Sequence, residues 1–306
     1  CKKDPPPPEP QGGKYEGGMI VLNEGLYQQN NASMSFYSFS DAQVYQQVFY
    51  NENNRGLGDT ANDMILWNDG DSTYIIIAVD VSSQIEVMSA TTLQSVAQIG
   101  LFDGTTAREP RNLEVYNGNL YSCNFDGTVS VIDLNTFTET NVINVGSNPD
   151  GSAVYGNKLY VANSGGLNFP DYDSTISVVN MNTGTELYQL DSRKNCGPML
   201  VDDEGDLYVL SKGNYSNLGP AMLTYDCQAD TLKDSVDVNI SSWEFFDGHI
   251  YYYDDNLKGV YRFNTTSESF ENTQLIDCSS YQTMYGIYVT PTAQNLMISL
   301  GGVIQE

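Results

Sequence analysis

The sequence is poor in positive charge. Of 306 residues only 13 are Lys or Arg, against 39 Asp and Glu, which leaves a formal net charge of −26. A surface acidic throughout repels phosphate backbones, so nucleic-acid binding through a cationic groove is not expected. Histidine is almost missing too, with His249 the single one. Acid–base or Ser-His-Asp chemistry would have to pass through it, yet its Asp-Gly-His setting reads as a solvated hairpin turn, and no enzymatic activity is expected. No apolar run approaches the ~18 residues of a membrane-spanning helix, and no stretch joins helical periodicity to capping residues. Beyond Cys1 there are only four cysteines, Cys123, Cys196, Cys227 and Cys278, none in a CxxC or Cys/His zinc spacing. The acidic stretches Asn68 to Asp71 and Asp202 to Asp206 are better explained as hairpin turns than as calcium loops. No metal site is expected.

What is present is apolar and aromatic. Hydrophobic residues make up 40% of the chain and 22 are Tyr, enough for a sizeable core. The chain opens with Cys1, Lys2, Lys3 and Asp4, followed by Pro5 to Pro8, Pro10, Gly12 and Gly13. Consecutive prolines adopt polyproline II, rising ~3.1 Å per residue, so residues 1–14 read as a tether of up to ~40 Å. A leading Cys before a polar, Pro-rich run resembles a bacterial lipoprotein after signal-peptide removal, with acyl chains on Cys1. The charged residues after it resemble the surface-export signal of Bacteroidota lipoproteins. That resemblance implies an outer-membrane, cell-surface protein held by lipid alone.

Self-similarity is the strongest signal. Residues Glu109 to Cys123 lie over Asn148 to Ala162 at a constant offset of 39, with Pro110 on Pro149 and Leu120-Tyr121 on Leu159-Tyr160. Downstream, GTVSVIDLNTFTE (from Gly127) matches STISVVNMNTGTE (from Ser174) at an offset of 47, so the second copy carries eight extra residues. Each half alternates β-branched and polar residues or enters a short apolar run from an Asn-Gly-type turn, the marks of strands and hairpins. Weaker copies surround Leu207 to Leu210, Ile250 to Tyr253 and Tyr74 to Val79. Four strands every ~40–45 residues mark a β-propeller. The reading is an all-β domain over 15–306, a seven-bladed propeller of four-stranded antiparallel blades near 15–59, 60–105, 106–146, 147–194, 195–238, 239–277 and 278–306, the last incomplete. Cys196 and Cys227 flank one such unit and are the expected disulfide; the four cysteines allow three pairings, or none if they are buried thiols.

The run Asn148-Pro149-Asp150-Gly151, then GNKLYVAN (from Gly156) and TISVVNMNTGT (from Thr175), resembles the YVTN repeat of YncE-like propellers. MIVLNEG (from Met19) and GLGDTANDM (from Gly56) resemble the Bacteroidota surface-lipoprotein branch of that family. Within the branch, the BtuG-type lipoproteins are corrinoid binders seated on a TonB-dependent outer-membrane transporter. The resemblance implies capture of a ligand, a cobamide (vitamin B12) in particular, and its transfer to such a transporter. The alternative is a docking subunit of a larger outer-membrane complex with no small-molecule ligand. The final blade departs from the binding members, because an Asp-Tyr-rich loop is expected where TPTAQNLMISLGGVIQE stands.

In a propeller, loops between second and third strands share one face with the connections between blades, so insertions there build a ligand platform. The insertion 163–173 contains Phe169 and Tyr172, the insertion 212–220 contains Tyr215, and Tyr253 and Asp254 fall at the matching place in the next unit. With Asp150 these are the binding candidates, aromatic rings with carboxylates between them suiting a flat amphipathic ligand or a partner's loop. Arg108 and Arg111, conspicuous in so base-poor a chain, are read either as contacts for an anionic group or as partners of nearby carboxylates. The Bacteroidota O-glycosylation pattern, Asp then Ser or Thr then a small or apolar residue, fits Thr60, Ser72, Ser174, Thr231 and Ser235.

Overall fold

The computed structural model describes residues 13–281, 284–289, 296–300 and 303–305. Cys1 and most of the tether lie outside them. Two compact units meet at residues 143/144.

In the N-terminal unit, Gly18–Asn23, Ser33–Ser38 and Gln43–Tyr45 form a three-stranded sheet, followed by a short helix, Val48–Asn53. Blade 1 comprises Ala61–Asn68, Thr73–Val79, Gln84–Ser89 and Ser95–Gly100. A hairpin, Phe102–Asp103 with Thr106–Ala107, precedes blade 2, which comprises Pro110–Tyr116, Asn119–Asn124, Thr128–Asp133 and Thr138–Asn144. In the C-terminal unit, blade 3 comprises Pro149–Tyr155, Lys158–Asn163, Thr175–Asn180 and Thr185–Asp191. Blade 4 comprises Cys196–Val201, Asp206–Ser211, Ala221–Asp226 and Thr231–Val236. Blade 5 comprises Ile240–Phe246, His249–Asp254, Gly259–Asn264 and Ser269–Phe270, with Ile276–Asp277 also pairing its third strand. Met284–Val289, Leu296–Leu300 and Val303–Gln305 make a last three-stranded sheet. Among the described residues no helix is long and apolar enough to cross a membrane.

The fold is an all-β propeller, with six blades and not the expected seven. Among the described residues five sheets complete the four-stranded meander, and the sheets nearest the two ends have three strands each, so neither end segment is a whole blade. The helix explains part of the shortfall. Residues 48–53, which fall inside the expected blade 15–59, coil into a helix after a left-handed Gln47, and no side chain caps them, so no helix signature precedes them.

The repeats persist in detail. Asn117-Gly118 and Asp247-Gly248 both carry positive φ at two successive residues, as the favoured two-residue hairpin turn demands. Every complete blade has a register shift near the start of its first strand. Second strands are buried on both faces, as in Thr73–Val79 and Asp206–Ser211, whereas fourth strands such as Thr231–Val236 are largely exposed. Apolar clusters therefore lie between successive sheets, as where Tyr160, Ile176 and Val178 meet Leu207, Val209 and Leu223.

One further element recurs. Just before each fourth strand stands a residue in the left-handed region: Leu93, Phe137, Gly184, Asp230 and Glu268. For a residue with a side chain that conformation costs about 1 kcal/mol, offset by what the side chain reaches on the preceding sheet. Leu93 joins Val48 and Phe49 in the apolar cluster, and Phe137 meets the rings of Trp67 and Tyr74 edge-on at 6.5 and 6.2 Å. Asp230 accepts from Lys158 Nζ and Tyr160 Oη, both at 2.5 Å, and from Tyr188 Oη. Glu268 pairs with Lys233 Nζ at 2.5 Å.

Candidate functional site

The insertion loop of blade 3 is shaped by its polar ends. Asn163 donates to Thr175 Oγ1 and Ser177 Oγ, both at 2.9 Å, and Asp173 accepts from Thr175 Oγ1 at 2.7 Å. Gly165 turns at φ +59, where a Cβ would lie 2.2 Å from Asp173 N. In blade 4, Asn214 acts as an internal staple: its carbonyl oxygen accepts from Ser216 N (3.1 Å) and Leu218 N (2.9 Å), while its amide donates to Asn217 (2.8 Å). Arg193 donates to Gly219 O at 2.9 Å and pairs with Asp237 at 2.8 Å, fixing the loop's return.

These loops bring three of the sequence candidates together. Phe169, Tyr172 and Tyr215 form an edge-to-face string, with centroids 6.1 and 6.0 Å apart. Tyr172 is 9% exposed and serves as the fixed middle, while Phe169 and Tyr215 are 67% and 68% exposed. Burial of apolar rings is what solvent drives, so two exposed rings held in a defined array are available to a ligand. Tyr215, itself left-handed at φ +54, leads into a cleft of about 400 Å³ between blades 4 and 5. Pro198, Leu210, Leu218, Pro220 and Ile240 give it apolar walls; Lys212, Asn239, Ser241 and Asp255 supply polar groups. The cleft lies at the end of the blades that carries the second-to-third-strand loops and the blade connections. Asp150, on the first strand of blade 3, sits 3.9 Å from Lys212 Nζ and so borders the same region.

Other candidates lie elsewhere. Tyr253 is 2% exposed and packs with Val260, Cys278, Ile287 and Ile298 as core; burial pushes its hydroxyl pKa up. Asp254 is buried and accepts from Asn256 N (2.8 Å) and Leu257 N (2.9 Å), closing the following turn. Its neighbour Asp255 is the one that lines the cleft. Period-two alternation explains the exchange, since adjacent residues at a strand end face opposite ways. Arg108 and Arg111 are in the N-terminal unit and pair with carboxylates. Arg108 reaches Asp126 at 3.3 Å and Glu139 at 3.8 Å; Arg111 reaches Asp80 at 2.7 Å and covers the Phe125 ring at 5.1 Å.

The Cys196–Cys227 disulfide is not formed, and all four body cysteines are buried free thiols. Strand register gives the reason. Cys196 pairs with Ser211, whereas Cys227 follows Asp226, which pairs with Asp206 at the other end of the same strand. Five residues of strand separate them, roughly 17 Å, far beyond the ~7 Å a disulfide spans. The Cys196 thiol donates instead to Arg193 O at 2.9 Å. Burial pushes Cys196 up to about 11 and Cys227 up to about 12.

Of the glycosylation matches, Thr60 is buried with its hydroxyl on Asp59 at 2.7 Å. Ser72, Thr231 and Ser235 are exposed and Ser174 is half-buried. His249 lies in its turn, Nδ1 on Asp247 O at 2.9 Å. Asp202 Oδ1 accepts from Glu204 N and Asp206 N, as a turn residue does, and among the described residues no group of acidic, His or Cys side chains could hold a metal ion.

Solved structures share the architecture. Kuenenia stuttgartiensis hydrazine synthase is 16% identical, with a TM-score of 0.63 over 75% of this chain and 71% of that one. The Neurospora crassa Pan2 WD40 domain is 10% identical, with a TM-score of 0.60 over 78% and 72%. The computationally designed Ika8 protein is 12% identical, with a TM-score of 0.54 over 79% and 71%. Identities this low define the class, a β-propeller, and nothing about activity. Over residues 17–301 the chain matches the family described as a domain of unknown function, DUF5074, and it belongs to that family. No curated protein matches it.

Proposed function

We propose that this protein is a non-enzymatic capture protein whose loop end, between blades 3, 4 and 5, binds a small ligand. One observation carries the reading: the edge-to-face string Phe169–Tyr172–Tyr215 runs from an exposed ring into a cleft with apolar walls and few polar groups, the composition typical of ligand sites. The YVTN-like repeats and the Cys1 leader extend the proposal to a lipid-anchored protein of the bacterial outer surface, of the YncE-like kind, passing its ligand to a TonB-dependent transporter. The same resemblance makes a cobamide the first ligand to try. A cobamide is larger than the cleft and would lie across the aromatic rim.

Purified protein mixed with cyanocobalamin should retain the red chromophore through gel filtration, and Phe169→Ala with Tyr215→Ala should release it. A colourless protein peak refutes the cobamide assignment. A second reading, a docking subunit of a larger outer-membrane complex, draws support from the N-terminal sheet and its flanks. There Leu26, Tyr27, Phe39, Val44, Tyr45 and Tyr50 are all about half or more exposed, the kind of side chains a docking surface uses. Mild-detergent co-purification separates the two readings: a single transporter partner favours capture, and several assembly or secretion components favour docking.

A further inference from the structure

We propose that the cleft between blades 4 and 5 takes a small zwitterion with an apolar body, of the amino-acid or short-peptide kind. The inference rests on this end being a capture site, but not on a cobamide being what it captures. The two walls carry opposite charges: Lys212 stands on the blade 4 loop and Asp255 on the blade 5 loop, with Pro198, Leu218 and Ile240 among the apolar residues of the same cleft. A ligand with an ammonium, a carboxylate and an apolar side chain matches that set group for group.

Both charges are open to exchange of partners. Lys212 pairs with Asp150 at 3.9 Å and Asp255 with Lys258 at 3.8 Å, the two lysines being 54% and 45% exposed. Pairs this long and this solvated contribute ~0–1 kcal/mol, so a ligand's own charges displace them at little cost. The wall bearing Asp255 is nonetheless fixed, because Asp255 N donates to Asn239 O at 2.8 Å. The field of the whole molecule selects further. With a formal net charge of −26 it repels net anions from a distance and leaves a net-neutral molecule unopposed. Size agrees as well: about 400 Å³ lies toward the small end of the ~300–1,000 Å³ range of ligand sites.

The test is calorimetric titration of the full chain with leucine, leucyl-leucine and tri-leucine, which separate their two charges by increasing lengths. One of the three should bind. Its N-acetylated and C-amidated forms should each bind about tenfold more weakly, the loss of one charge-assisted contact. Lys212→Met should abolish the preference for the free carboxylate over the amide yet keep the preference for the free amine; Asp255→Asn should do the reverse. Far-UV circular dichroism checks that each variant is folded. Failure of all three to bind at millimolar concentration overturns the inference, as do preferences that persist in both variants. Cyanocobalamin titrated in parallel separates this failure from that of the capture reading. Cyanocobalamin binding without leucine-peptide binding leaves capture standing and removes the zwitterion, and absence of both removes the zwitterion and the cobamide assignment together.

Discussion

Replacement of Asp230 should loosen blade 3 from blade 4. Its carboxylate receives Lys158 Nζ and Tyr160 Oη at 2.5 Å and the Tyr188 hydroxyl, and hydrogen bonds to a charged acceptor contribute ~1.5–3 kcal/mol each. The sum overstates the loss, because Lys158 Nζ and Tyr160 Oη also reach Cys227 O at 3.1 Å and are not stranded when the carboxylate goes. Tyr188, 43% exposed, turns to water. About 2–4 kcal/mol remains for Asp230→Ala, a melting shift of roughly 4–8 °C in a chain of this size. Burial alone would raise the Asp230 pKa, but the donors Lys158, Tyr160 and Tyr188 outweigh it and hold the pKa below the usual carboxylate value. A folded pKa below the unfolded one means the contribution is full above about pH 4 and disappears as pH falls through the folded value. The deficit of the variant should therefore be large at pH 7 and shrink toward pH 2. The assay is urea unfolding followed by tryptophan fluorescence in a Trp67→Phe background. That leaves Trp243, in the same unit as Asp230, as the sole reporter. A deficit under ~0.5 kcal/mol at pH 7, or one that does not change with pH, refutes the clamp.

Other outcomes follow from the same structure. Burial, and secondarily the charge of Asp63, push Glu114 up to about 8; its folded pKa exceeds the unfolded one, so it destabilises the fold increasingly as pH rises from about 4 to 8. Glu114→Gln should then stabilise by about 1–2 kcal/mol at pH 8 and by almost nothing at pH 4, as urea midpoints at the two pH values will show. Gly213 turns at φ +68 where a Cβ would meet Leu218 O at 2.1 Å, so Gly213→Ala should cost about 2 kcal/mol and expose residues 212–220 to limited proteolysis; an unchanged digestion pattern counts against the loop geometry. Ellman's reagent at pH 8 should leave the four body thiols unmodified in the native protein and titrate all four in denaturant without reductant. A shortfall of two would restore a disulfide.

Much of the architecture was legible because it repeats. The match of Glu109 to Cys123 with Asn148 to Ala162 reappears as equivalent first and second strands, down to the register shift beside Pro110 and Pro149. What failed was counting: the last segment, 278–306, reads as incomplete, but the first, 15–59, is credited with a whole blade of four strands where the sheet has three. The uncapped helix Val48–Asn53 consumes residues that the arithmetic assigned to strands. The aromatic string was visible because insertions break a repeat and its rings stand inside them. The cleft was not, because its apolar walls come from residues that look unremarkable in sequence, such as Pro198, Leu210 and Ile240. The disulfide failed because a cysteine pair flanking a unit in sequence says nothing about which end of a strand each occupies.

The left-handed residue Glu268, which reaches back from the fourth-strand turn of blade 5, also bears on how blades 4 and 5 are joined. Blades 4 and 5 are pinned at the turn end by Lys233 with Glu268 and by Thr266 with Glu204 at 3.2 Å, while their opposite ends are parted by the cleft. The pair is tied across at one end and open at the other, as the two jaws of a peg are. A ligand seated at the open end touches none of the four residues that tie the turn end, so it can be accommodated without those bonds being broken.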